Sequence, residues 1–480
     1  MGRMNSFFAA SLLAPALAVF QKNCFRLLEE PLAEAPFKPD EVGKLLQHFR
    51  MNIDVNGTGA IIASPGATPA LPPSCEGGYK YHWTRDGAIS MSTMVKLGDA
   101  LGLPESHLEQ LSLSYANWVQ KLHENGTTAF LEPKWVIEKA SPYELPWCKP
   151  QSDGPPLRAR ALMQMARRFP SNAGLFWELA GKDLDWLVSK ADGKPNIEIT
   201  TCDLWEETTD SDFFWNKAVM RAALLEGIDY SRKVGDQARA QAYSEALHDY
   251  LRRPLSRHVE WSLFGSYATE CPTLEFWGTS CRKYRKRIDG AVILALVHSR
   301  PMTNASQQFP APTDVLVANT VKAYNKEFCS LYEINAQDSR NAVPGVLYGR
   351  YAADQYGAKD GGNPWHLITA ALASLLYQVA ERVATGTVLS RQEIAAWKAA
   401  VNGGDNFLGQ SKDFVAAGDS VLVRLRQHIA PEDDMHLFEQ IDRSTGQQYN
   451  AKDLTWSYTE VFNALLQRMR AIAPGVEIIV

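Results

Sequence analysis

Helical periodicity constrains this chain more than any other feature. Leu108, Leu111, Tyr115, Trp118, Val119 and Leu122 keep the three-and-four spacing of one helix face. Ile368, Leu372, Leu375, Leu376, Val379 and Val383 do the same, behind a Gly361-Gly362-Asn363-Pro364 breaker that predicts the helix start. Residues 215–232 and 235–252 read as two more helices, parted at Val234-Gly235. Period-two alternation is scarce and clearest from Gly59 to Ser64. The pattern predicts an all-α chain whose helices are joined by long loops rich in Gly, Pro and Trp. No short segment repeats at a fixed period, which disfavours a helical solenoid. With no Ser/Thr- or Pro-rich linker in sight, residues 19–480 are expected to form a single domain.

The first eighteen residues read as a secretory signal peptide. Arg3 supplies the positive start, Phe7 to Leu13 the apolar stretch, and Ala16-Leu17-Ala18 a small-residue cleavage site. Secretion, and hence a glycoprotein, is the expectation; Asn56, Asn125 and Asn304 each head an Asn-x-Ser/Thr triplet. No later apolar run reaches the ~18–20 residues needed to cross a bilayer, so no membrane partner is expected. A net charge of −5 without a long basic stretch argues against nucleic acid, whose affinity rests on neutralised phosphates. The run Arg282 to Arg287 reads as a solvated loop or helix end. Seven cysteines include no Cys-x-x-Cys pair, which argues against zinc. In an oxidising compartment some should pair; Cys271 with Cys281 closes a short loop, and Cys148 could meet Cys202 only if their loops meet in space.

Walker loops, His-Glu-x-x-His and Gly-x-Ser-x-Gly are all missing. What stands out instead are polar loops dense in carboxylates and tryptophan. In Asp203-Leu204-Trp205-Glu206-Glu207, an apolar wall and a neighbouring negative charge would both raise a carboxyl pKa, as a general acid for a glycosidic oxygen requires. An acidic helix N-terminus would have the same composition. Tyr79 to Asp86 sets the pair Arg85-Asp86 beside aromatics, and Arg350 with Asp354, Asn363 and Trp365 repeats the combination. Asp can accept from sugar hydroxyls and Arg can donate to them.

These loops together resemble the fungal-type glucoamylases of glycoside hydrolase family 15. The resemblance is carried by five motifs in family order: Tyr79-x-Tyr81-x-Trp83-Thr84-Arg85-Asp86, Trp147 to Pro155, Asp203 to Glu207, Gly349-Arg350-Tyr351 with Asn363-Pro364-Trp365, and Asp453-Leu454-Thr455-Trp456-Ser457-Tyr458. It implies an (α/α)6 barrel (a six-hairpin toroid) with the active site formed by loops at one end. It also implies an inverting, exo-acting α-glucosidase that takes glucose from the non-reducing ends of starch-like α-1,4-glucans or maltooligosaccharides. Glu206 would be the general acid. Arg85, Asp86 and Arg350 would hold the terminal glucose, with Tyr79 and Trp83 around the ring and Trp147 near the second sugar. Asp203 and Glu207 would be outer polar contacts, and Trp205 and Trp365 further substrate-binding residues. No metal or organic cofactor is implied, and a monomer is expected. The family's granule-binding module is not expected, because the sequence ends at Val480 soon after the last motif.

Departures from the family pattern shape the remaining expectations. Counting six residues back from Asp453, the general-base position falls on Gln447. An amide cannot accept a proton at neutral pH, and losing a base costs ~10²–10⁴-fold in rate. Three readings follow: an inactivated enzyme, an enzyme in which another carboxylate such as Glu439 or Asp442 activates the water, or a catalytically silent glucan-binding protein. Lys149 and Ser152 stand where the family loop has arginine, which suggests altered contacts to the second or third sugar.

Overall fold

The computed structural model describes residues 23–71, 78–191, 194–250, 257–262, 265–272, 288–302 and 308–474. The expected signal peptide, residues 1–18, together with Cys75, Cys281, the basic run 282–287 and Asn304, lies outside them. Six helices form an inner ring: α2 (Thr84–Leu101), α5 (Gly154–Arg168), α7 (Phe214–Val234), α9 (Gly290–His298), α12 (His366–Ala384) and α15 (Thr455–Ile472). Each packs on the next in that order, and α15 packs back on α2, which closes the circle. Around them lie α1 (Pro39–Met51), α3 (Glu105–His123), α6 (Ala173–Val188), α8 (Gln237–Tyr250), α10 (Val315–Leu331) and α14 (Ser411–Gln427), with α4 (Thr128–Leu131), α11 (Glu333–Arg340) and α13 (Arg391–Ala400) in the connections. Two concentric rings of six helices make this an (α/α)6 barrel.

Burial follows ring position. The outer helix α3 buries only a stripe, Leu108, Ser112, Tyr115, Ala116, Trp118, Val119 and Leu122, much as its spacing predicts. The inner helix α12 is buried continuously from His366 to Ala380, so the single apolar face expected for it is wrong. A helix walled by neighbours on both sides and by the barrel interior has no wet face to keep polar. Gly235, at φ 80°, ends α7 in the left-handed cap that a side chain would strain, and α8 starts two residues later.

Gly59 to Ser64 does not form the expected strand. Ala60, Ile61, Ala63 and Ser64 are all buried, and the segment bonds singly to Asn52, Tyr79 and Tyr81 rather than in a ladder. The strands that do form are short, and they shape loops. Strands β1 (His82–Trp83), β2 (Lys134–Val136) and β3 (Ser141–Pro142) make one small antiparallel sheet. Strands β4 (Thr201–Cys202) and β5 (Thr209–Asp210) pinch the Glu206 loop, and β6 (Phe438–Ile441) pairs with β7 (Gln448–Lys452). The disulfide Cys148–Cys202 joins two of the loops, so they do meet in space, and Cys24–Cys329 ties the N-terminal segment to α10. Cys271 is disulfide-bonded as well.

Candidate active site

All six inner helices start where a carboxylate- or tryptophan-bearing loop ends: Trp83 before α2, Asp153 before α5, Phe213 before α7, Asp289 before α9, Trp365 before α12 and Leu454 before α15. Their N-terminal dipole ends therefore converge on one mouth and favour negative charge there. Isolated bridges stitch the loops together: Asp289 with Tyr351, Gly349 with Pro364, and Trp365 with Gln440. Gly349 is required at its bridge, since a Cβ would lie 1.8 Å from Tyr332 Oη.

At this mouth sits a cavity of about 410 Å³. Its aromatic wall comprises Tyr79, Trp83, Trp147, Trp205, Tyr356, Trp365 and Trp456, and three glutamates line it, Glu206, Glu207 and Glu439. Rings of this kind pack against the apolar faces of sugars while their polar edges stay available.

Glu206 is held by three donors. Trp83 Nε1 and Arg85 Nη2 reach its Oε1 at 2.9 and 3.0 Å, and Trp147 Nε1 reaches its Oε2 at 2.5 Å. Its backbone is left-handed, φ 65°, a conformation that non-glycine residues adopt at a cost. Asp203 makes it possible, because its carboxylate accepts from the amides of Trp205, Glu207 and Thr208 at 2.8–2.9 Å. The indoles are themselves clamped, with Lys134 Nζ over the rings of Trp83 and Trp147 at 4.7 and 3.8 Å.

Arg85 organises the cavity floor. Its Nη1 donates to Gln151 and Asp153, both at 3.0 Å, and Asp153 also accepts from Trp215 Nε1 at 2.7 Å. Arg85 Nε faces Asp86 Oδ2 at 3.4 Å without a hydrogen bond, and both atoms are buried and unsatisfied. A donor and an acceptor left open side by side suit a ligand rich in hydroxyls. Burial pushes the Asp86 carboxyl up to about 7, against the pull of Arg85. On the far wall Arg350 pairs with Asp354 and, at 2.8 Å, with Glu207, which also accepts from the Tyr351 hydroxyl.

Glu439 is almost fully buried on β6. It accepts from Asn450 Nδ2 and from Gln440 Nε2, the latter at 3.2 Å, and the Tyr79 and Tyr356 hydroxyls face it. Burial pushes its carboxyl up to about 7 despite these donors.

The sequence profile of glycosyl hydrolases family 15 matches residues 44–466 of this chain. The chain belongs to glycosyl hydrolase family 15. It is 30% identical to Glucoamylase-1 of Schizophyllum commune over 88% of its own length and 72% of that protein's. A glucoamylase of Blastobotrys adeninivorans is 27% identical over 90% and 71%. Among solved structures, the glucoamylase from Saccharomycopsis fibuligera superposes with a TM-score of 0.74 over 92% of this chain and 99% of that one; at 22% identity it speaks for the fold alone.

Within this family 15 fold, Tyr79, Trp83, Arg85, Asp86, Trp147, Trp205, Glu206, Glu207, Arg350 and Trp365 all line the cavity. Three expectations need correction. Gln447 does not reach the cavity: it is exposed in the turn between β6 and β7, where its carbonyl accepts from Asp442 N at 2.7 Å. The hairpin folds that position back into solvent, and the carboxylate it brings to the cavity is Glu439, whose strand lies across from Asn450. Asp203 is buried beneath its own loop and is not a lining residue. Neither Lys149 nor Ser152 lines the cavity; Lys149 pairs with Glu132 at 2.6 Å and Ser152 bonds to Asn216.

Sequence reasoning missed Tyr356 and Lys134, and gave Glu439 only a secondary place. One signal for Glu439 was available: Leu437, Glu439 and Ile441 alternate at period two, and the flanking pair is apolar and buried, which puts a carboxylate on an inward face. Among the described residues one group resembles a metal ligand set, His48, His436 and Asp453. Its two imidazoles stack at 3.7 Å, so their in-plane lone pairs run side by side rather than converging on one point.

Proposed function

We propose that this chain is an exo-acting, inverting α-glucosidase that releases glucose from the non-reducing ends of α-1,4-glucans, with Glu206 as general acid and Glu439 as general base. The observation that carries this reading is the pairing of Glu206 and Glu439 in one aromatic-walled cavity whose floor holds the unsatisfied Arg85–Asp86 pair. The relatives named glucoamylase support the substrate class. Since Glu439 can accept a proton, nothing at the base position requires an impaired enzyme.

In the proposed reaction Glu439 takes a proton from water, whose oxygen bonds to the anomeric carbon. The bond from that carbon to the glycosidic oxygen breaks, and Glu206 gives its proton to the departing oxygen. Attack opposite the leaving group inverts the anomeric centre, and an inverting pair stands ~6.5–9.5 Å apart to admit the water. Both carboxyls then exchange protons with solvent. For Glu206 to act, one of its present donors must let go. A glucose whose hydroxyls take the Arg85 N–H groups removes one of the two donors on Oε1 and opens a lone pair there for the proton. A base raised to about 7 is strong enough to deprotonate water effectively near neutrality.

We also propose that the chain is a secreted monomer whose residues 19–480 act as one catalytic unit. Disulfides Cys24–Cys329 and Cys148–Cys202 suit an oxidising compartment. Asn56, exposed in a turn, is the better glycan acceptor, because the Asn125 amide donates to three backbone carbonyls.

The test follows maltotriose by proton NMR with the wild-type chain and Glu206→Gln. β-Glucose should appear first and Glu206→Gln should abolish it. Release of α-glucose first would refute inversion. Binding of maltotriose without turnover by the wild type would refute the enzyme reading and favour a glucan-binding protein.

A further inference from the structure

A second cavity, of about 280 Å³, lies inside the ring toward the C-terminal ends of α2, α12 and α15, where the glucan pocket's residues do not reach. Four long cations line it: Lys96, Arg160, Arg300 and Arg470. Two are accounted for. Arg160 donates to Glu226 Oε1 from Nε and Nη2 at 3.0 and 2.9 Å, and to the carbonyls of His298 and Arg300, so it closes the end of α9. Arg300 pairs with both oxygens of Glu381, which Gln467 also contacts. His298 is matched with Glu460 at 2.7 Å.

Lys96 and Arg470 have no such match. Among the described residues neither makes a hydrogen bond or ion pair, and Arg470 Nη2 is buried without a partner. Burial, together with the cations of Arg470 and Arg160, depresses the Lys96 ammonium to about 7. The Arg470 guanidinium is lowered too, first by burial and then by Arg300. Glu226 acts on Lys96 and Glu381 on Arg470, but these carboxylates are already paired with Arg160 and Arg300, and the helix C-termini at this end add only about half a charge each. Two like charges crowded against one cavity are costly unless an anion lies between them.

We propose that this cavity binds a small dianionic oxyanion of the phosphate class between Lys96 and Arg470. Asn463 adds a donor: its Oδ1 accepts from the Thr93 hydroxyl at 2.9 Å, which leaves its amide –NH₂ for the ligand. At about 280 Å³ the space is just under the range typical of small-molecule sites, room for a phosphate group with little attached. Inorganic phosphate and the phosphate of a monosaccharide ester present the same chemistry. The site is separate from the glucan pocket, so it stands or falls independently of the hydrolase reading.

Calorimetric titration of the whole chain at constant ionic strength tests this, with inorganic phosphate and glucose 6-phosphate as separate ligands and chloride as control. Saturable binding is expected, weakened at least tenfold by Lys96→Gln and by Arg470→Gln. Circular dichroism and maltotriose turnover of both variants serve as folding checks. Phosphate binding lost in both variants supports the free ion as occupant. Binding of the ester alone, lost in both variants, supports the sugar phosphate. Absence of saturable binding by either ligand, or binding that survives in both folded variants, overturns the proposal.

Discussion

Replacing Glu439 by Gln should make the protein more stable at high pH relative to low pH while destroying its activity. Burial raises this carboxyl from its ordinary 4.5 to about 7, so the folded state disfavours the ionised form. Below the unfolded value both states are protonated and there is no penalty. Between 4.5 and about 7 the penalty accumulates, and above the folded value it is complete. At ~1.4 kcal/mol per pH unit, that interval is worth ~3 kcal/mol. Glutamine cannot ionise and escapes this cost. Its –NH₂ does oppose donors such as Asn450 Nδ2, a pH-independent loss of ~1–2 kcal/mol. The variant should therefore lie slightly below wild type at pH 4 and above it at pH 8. With an unfolding entropy of ~2 cal/mol/K per residue, the change in the Tm difference between these pH values is ~3 °C. Asp86 titrates in both proteins and cancels. Thermal unfolding of the pair at pH 4, 6 and 8 is the assay. A Tm difference that does not change with pH would refute the argument that Glu439 ionises at a cost.

Three further outcomes follow from the loop architecture. Asp203→Asn exchanges one acceptor of the Glu206 loop amides for a donor; kcat for maltotriose should fall ~10-fold, about 1.4 kcal/mol, while KM stays within about twofold. Changing Cys148 and Cys202 to Ser releases a tie across 54 residues, for which chain entropy gives a loss of up to ~4 kcal/mol, read as a lower urea midpoint. Lys134→Met removes the cation between Trp83 and Trp147 and should lower kcat/KM ~10-fold or more, since a desolvated cation–π contact is worth ~2 kcal/mol; an unchanged value would mean that the indoles hold Glu206 without it.

The fold was largely legible because the outer helices write their burial as a stripe, as α3 does with Leu108 to Leu122. Inner helices are harder to read: α12 is buried all round, and periodicity has nothing to report when every face is inside. Local motifs located the cavity well, since Arg85, Glu206 and Arg350 sit beside the helix starts that aim them. Counting along the chain put the base position at Gln447 and not at the proposed Glu439, because a count fails across a hairpin. Six residues before Asp453 lies an exposed turn, whereas pairing of β6 with β7 sets Glu439 beside Asn450. The Lys134 clamp was invisible, because its four aromatic neighbours, Tyr81, Trp83, Tyr143 and Trp147, come together only through folding.

The central claim is that Glu439, and not the residue at 447, activates the attacking water. Its most direct test compares kcat/KM for maltotriose in wild type, Glu439→Gln and Gln447→Ala. The account predicts a loss of ~10²–10⁴-fold for Glu439→Gln and a value within about twofold of wild type for Gln447→Ala. A folded Glu439→Gln protein that keeps most of its activity, or a Gln447→Ala protein that loses it, would contradict the account.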